Sequence, residues 1–129
     1  MMPAMASRKG PVHSIDDVRA SAGRNAVVLM SSSAKSPLRD HFGSNRAGHV
    51  AACRALATLL VDDFVEAVVL DTTQQPADVY AVLVDGRDWY VKLFLTVDFD
   101  PPHDEVTVCV SFHPPKFPMT TKSGRKVFA

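Results

Sequence analysis

Cysteine is scarce in this chain: Cys53 and Cys109 are the only two among 129 residues, one in a helix-like segment and one in a strand-like run. Neither has a second ligand at metal-binding spacing, so two reduced, buried thiols are expected rather than a zinc site or a disulfide. His13, His41, His49 and His103 stand in separate segments without ligand spacing, and no metal is expected there either. No apolar run approaches the roughly 18 residues of a membrane span, and Met1–Gly10 lacks the apolar stretch of a secretory signal. These absences point away from a membrane and towards the cytoplasm. Excess charge is missing too, since fourteen Lys/Arg face fourteen Asp/Glu.

That neutrality averages over three unlike regions. Residues 1–56 hold eight basic side chains against three acids, residues 57–113 hold eleven acids against two, and residues 114–129 hold four basic side chains and no acid. The basic ends suit a polyanion, and they equally suit neutralising the acidic middle within one fold. At 129 residues with 47% hydrophobic content, the chain can bury a single core without staples.

The expected organisation is a leader over residues 1–12, one domain over 13–113 and a basic, proline-containing tail over 114–129. A first helix is predicted from the Ser14 cap to Gly23, with Asp16 and Asp17 suiting its positive end. Ala26–Met30 reads as a short strand and Ser31–Pro37 as a loop. Val50, Cys53, Leu56, Ala57 and Leu60 recur at helical steps and predict a long helix from about Asn45 to Val61. Phe64–Asp71 reads as a strand. Helices first and strands afterwards predict an α+β fold, with N-terminal helices packed on a twisted antiparallel sheet of about four strands.

The second half is the most legible. Asp85-Gly86 is a two-residue hairpin signal joining Asp78–Val84 to Arg87–Val97. If Val84 faces Arg87, then Val82 faces Trp89 and Tyr80 faces Val91. Val91, Leu93, Leu95 and Val97 then share a buried face with Val106, Val108, Val110 and Phe112 of the third run. On the other face Tyr90 falls opposite His113, Lys92 opposite Ser111 and Thr96 opposite Thr107. A phenol, an imidazole and an ammonium group are thus expected on one surface.

Those groups suit acid–base work beside an anion, which needs a base, an acid and positive charge. Glu66 is the candidate base, His113 the acid, Lys92 or Arg87 the phosphate clamp and Tyr90 a hydrogen-bonding or stacking group. Each has an ordinary structural alternative: Tyr90 as packing, Lys92 as a guard against edge pairing, His113 as a strand end, Glu66 as solvated surface. The tail interleaves Phe117 and Phe128 with Lys116, Lys122, Arg125 and Lys126, the makeup of a flexible nucleic-acid contact or of a charged terminus. Its prolines 114, 115 and 118 bar it from a central strand and suggest an extended segment across the sheet end.

Asp78-Val79-Tyr80, then Tyr90-Val91-Lys92, then a Val-x-Val-Ser-Phe run ending at Phe112 resemble the MqsR-type toxins of bacterial toxin–antitoxin modules. The spacing from Tyr80 to Gly86, Tyr90 and Lys92 matches without a gap. Asp63-Phe64 and His13–Val18 extend the resemblance upstream. It implies a RelE-like fold, an mRNA endonuclease that needs no metal or cofactor and acts free or at the ribosome, and a partner antitoxin; in such cleavage the base takes the ribose 2′-hydroxyl proton and the acid protonates the departing 5′-oxygen. Of the family's site residues, the tyrosine falls on Tyr90, one lysine on Glu66, the glutamine on Ala77 with Gln75 nearby, and the second lysine on His113. A non-catalytic module of the same fold that docks an antitoxin or another protein is the alternative.

Overall fold

The computed structural model describes residues 10–129, so most of the expected leader, residues 1–9, lies outside the described residues. The first helix, α1 (Ile15–Gly23), begins where Ser14 caps it, its hydroxyl accepting from the Asp17 amide at 3.3 Å. A short strand β1 (Val27–Leu29) follows. Two helices come next, α2 (Ser32–Phe42) and α3 (Asn45–Ala57), then a 3-10 turn at Val61–Asp63. The remaining strands are β2 (Phe64–Val69), β3 (Pro76–Val84), β4 (Arg87–Val97), β5 (Glu105–His113), β6 (Met119–Thr120) and β7 (Lys126–Val127).

Five strands form one mixed sheet in the order β1-β5-β4-β3-β2, with β1 parallel to β5 and the other neighbours antiparallel. The α+β class stands, whereas four antiparallel strands become five with a parallel edge. The helices cover one face. Beneath them Val18, Leu38, Leu56, Phe64, Tyr80, Trp89, Val91, Leu93 and Phe112 make the main core, all nearly or fully buried.

Residues 32–37 of the expected loop are helical, and Ser31 is the extended residue before them. Ser31 does not cap α2 with its side chain. Its Oγ and that of Ser33 instead donate to the Val110 carbonyl at 2.7 and 3.1 Å. A serine run with Pro37 inside gives little local helix signal, and Ala34 and Leu38 form α2 by packing inward. The third helix stops at Ala57, and Val50 and Leu60, placed on its buried face by periodicity, are exposed. Its inner stripe is Gly48, Ala52, Cys53 and Leu56. A Cβ on Gly48 would stand 2.9 Å from the Leu38 Cβ, so α2 and α3 approach at a glycine, and that contact sets the rotation of α3.

The hairpin register is as the sequence predicts: Val84 pairs with Arg87, Val82 with Trp89 and Tyr80 with Val91. Asp85 and Gly86 take φ of 55° and 80°, the positive values the two-residue turn demands. Between β4 and β5, Tyr90 pairs with His113 and Lys92 with Ser111. Leu93 then pairs with Cys109, leaving Val110 as a bulge. Beyond it the predicted pairs fail: Thr96 meets Val106, and Leu95 meets Thr107. The bulge turns Cys109 into the main core and Thr107 towards α1, where its hydroxyl lies 2.5 Å from that of Ser21. Val97, expected in the buried row, is exposed. Ser31 and Ser33 satisfy the Val110 carbonyl that the bulge removes from the ladder, which makes the bulge tolerable.

Candidate functional site

The face of the sheet turned away from the helices carries the chemistry. Tyr90 and His113 are cross-strand neighbours whose rings stack with centroids 5.0 Å apart and planes 12° apart. Lys92, two residues along β4, holds its ammonium 5.9 Å from the Tyr90 ring centroid. Glu66 pairs with Val79 after a bulge in β2, which places it on the same face, and its charge acts on the Tyr90 hydroxyl. The register therefore brings together Tyr90, His113, Lys92 and Glu66, the four expected catalytic residues. His113 Nδ1–H donates to the Pro114 carbonyl at 2.7 Å, which leaves Nε2 to accept or carry the exchangeable proton.

Solvent does not reach this face freely. Tyr90 and His113 are each only 8% exposed, because the chain after His113 folds back over them. Phe117 sets its ring edge-on to Tyr90 at 5.7 Å. Met119 and Val127, paired in the β6–β7 hairpin, join Val65, Val79, Ala81 and Tyr90 in a second apolar cluster. The hairpin is tied to β2 and the preceding turn by the Lys122 amide on the Phe64 carbonyl at 2.7 Å and the Ser123 amide on the Asp62 carbonyl. The surface is thus apolar and covered near Tyr90, where an open polar one was expected.

Arg125 is drawn inward instead of outward. Its guanidinium donates to the Ala81 carbonyl at 2.8 Å and to Asp63 at 3.3 Å, and it also grips Asp88. Burial pushes the Asp63 carboxyl up against the pull of Arg125. Burial disfavours the charged guanidinium, but Asp88 and Asp63 overcome this and hold it above its ordinary value. The expected RNA contact is therefore an internal ion-pair network between the basic tail and the acidic middle. Lys126 donates to the Thr120 hydroxyl within its own hairpin, and Lys116 stays exposed.

Two other expected RNA contacts lie apart from Tyr90. Gln75 sits in the β2–β3 loop and donates to the Pro76 carbonyl. It is six strand residues, about 20 Å, from Ala81, the partner of Tyr90. Arg87 starts β4 with the parity of Trp89 and Val91, on the helix side of the sheet. Phe117, expected in a flexible tail contact, packs on Tyr90 instead, and no sequence signal marked Asp63 and Asp88 as parts of the site. Asp63 and Asp88 lie 62 and 37 residues from Arg125, and no local pattern links them. Among the described residues, no group of three or more His, Cys, Asp or Glu side chains is placed to hold a metal, and no helix is long and apolar enough to cross a membrane.

Burial, helped by the Glu66 charge, pushes the Tyr90 hydroxyl up to about 12. Burial pushes Tyr80 up as well. These are the only tyrosines in the chain, so tyrosinate absorbance is expected to stay flat through pH 10, where free phenols half-ionise. A folded-state value above the unfolded one contributes stability that is complete below about pH 10 and is lost as pH climbs towards 12. For Tyr90 that contribution is on the order of 2–3 kcal/mol. Unfolding and ionisation should therefore coincide in an alkaline titration. Ionisation of one tyrosine near pH 10 with the fold intact would show that the hairpin does not cover Tyr90.

No protein-family model, no curated protein and no solved structure matches this chain.

Proposed function

We propose that the protein is a RelE-like toxin of the MqsR type, the toxin of a type II toxin–antitoxin module, which cuts mRNA in the cytoplasm without a metal and is held in check by an antitoxin protein. The observation that carries this reading is the Tyr90–His113 pair, in register across β4 and β5 with Lys92 on the same face. Glu66 takes the proton from the ribose 2′-hydroxyl, and the 2′-oxygen attacks phosphorus. The 5′-oxygen leaves with a proton from His113 Nε2, giving a 2′,3′-cyclic phosphate and a free 5′-hydroxyl. Lys92 offsets the charge on the phosphorane, while Tyr90, protonated at neutral pH, donates a hydrogen bond or stacks on a base.

The test is cleavage of labelled mRNA in chelator by wild type and by His113→Gln. A general acid contributes roughly 10²–10⁴-fold, so the variant should cut at least about a hundredfold more slowly. Equal rates would remove His113 from the mechanism. Burial of the Tyr90–His113 pair favours a second reading, a non-catalytic module that docks an antitoxin or another protein. Growth arrest on expression that both His113→Gln and Tyr90→Phe leave intact would select it.

A further inference from the structure

We propose that the C-terminal hairpin, residues 114–127, is a strap that closes the Tyr90–His113 face and is latched by Arg125, so that single-stranded RNA gains the face only when the strap lifts. The inference rests on the endonuclease reading and adds its regulation.

The strap is built to dock rather than to stand alone. Its strands, Met119–Thr120 and Lys126–Val127, have two residues each, far below what an isolated hairpin needs for stability. Its order comes from what it touches. Phe117, Met119 and Val127 rest on Tyr90 and the Val65–Val79–Ala81 patch, and the Arg125 guanidinium spans Asp63 before β2, the Ala81 carbonyl in β3 and Asp88 in β4. One cation thus pins the hairpin to two strands of the sheet and to the turn before a third. Arg125 is 31% exposed at the side chain, so water and competing charges can reach the latch. The surface beneath has the elements of a single-strand site: an aromatic ring for stacking, an imidazole and a lysine. With the strap down, Phe117 packs against that ring and the imidazole is shielded. Such a weakly self-supporting element is the kind of segment that opens locally.

Arg125→Ala gives the test its sign. If Arg125 itself held RNA, losing the cation would weaken binding; if it latches the strap, losing it exposes the face and tightens binding despite the lost charge. Val127→Ser loosens the same hairpin with no change of charge. Full-length variants are to be compared with wild type by carbethoxylation of His113, read by mass spectrometry, and by binding of a fluorescein-labelled single-stranded RNA of mixed sequence. Both variants are expected to show about tenfold faster His113 modification and about tenfold tighter RNA binding, the ratio that roughly 1.4 kcal/mol produces. Unchanged His113 reactivity in both variants, weaker binding by Arg125→Ala, or wild type matching the variants in RNA affinity would each overturn the strap. Cleavage by the same proteins separates the two readings. Tight binding by opened variants without cleavage keeps the strap and removes the endonuclease. Cleavage by wild type at the variants' rate keeps the endonuclease and removes the strap, and opened variants that neither bind nor cut remove both.

Discussion

Trp89→Ala is expected to destabilise the protein by about 3–5 kcal/mol, a large part of the roughly 5–15 kcal/mol that holds a typical domain together. The ring is 1% exposed and sits where helices and sheet meet: edge-on to His41 at 5.4 Å and Phe112 at 5.8 Å, and stacked with Phe42 at 6.4 Å. Removing it leaves a cavity walled by α2 and by β5, and neither can move far, because α2 is packed against α3 and β5 is paired on both sides. Trp89→Phe should cost much less, because the buried Nε1–H has no partner among the described residues and its removal recovers part of the lost contact energy. Urea denaturation followed by circular dichroism measures both, since Trp89 is the only tryptophan and fluorescence vanishes with it. Tyr90 comes directly after Trp89 and points to the opposite face, so loosening the helix side also loosens the strand that presents the candidate site. A loss below about 1 kcal/mol for Trp89→Ala would show that this aromatic group does not anchor β4.

Asp78→Ala should cost about 2–4 kcal/mol. The carboxylate is fully buried, and its two oxygens each accept a backbone amide at 2.8 Å, one from Val12 and the other from His13. Burial pushes the carboxyl up, while the two amides and His13 pull it back. Alanine would leave both amides without an acceptor and free the segment leading into α1. Asp78→Asn keeps one acceptor oxygen and should fall between alanine and wild type. Denaturant midpoints give the energies, and amide exchange at Val12 and His13 locates them, with at least about tenfold faster exchange expected in Asp78→Ala. Exchange unchanged at these two amides would mean that Asp78 does not clamp the segment. The motif Asp78-Val79-Tyr80 thus has a structural meaning beside its family resemblance: Asp78 ties down the N-terminal segment, and Tyr80 fills the core against Phe64.

Much of the candidate site was readable because a short hairpin turn sets the register of the strands on either side of it. Asp85-Gly86 fixed the pairing of Val84 with Arg87, and period two carried it to Tyr90 and Lys92, while His113 was placed by matching the apolar rows of β4 and β5. Parity failed one residue beyond Ser111, where Val110 bulges to meet Ser31 and Ser33, whose side chains lie 79 and 77 residues away. The prolines of the tail correctly barred it from the sheet interior. They could not reveal that it lies over Tyr90, because a segment's docking place depends on the surface offered to it.

The order of the segments determined the α+β class, and local chemistry determined the Ser14 cap, the β3–β4 hairpin and the placing of Tyr90 and Lys92 on one face, since each of these three comes from a bond or an alternation within a few residues. Tertiary contact decided the rest. It made a helix of a serine run by packing Leu38 against Gly48, added β1 as a parallel edge, and turned Arg125 from a free cation into a tie between Asp63 and Asp88. Those outcomes depend on which surfaces, distant in the chain, can bury apolar area and satisfy charge together, and that information is carried by no single stretch.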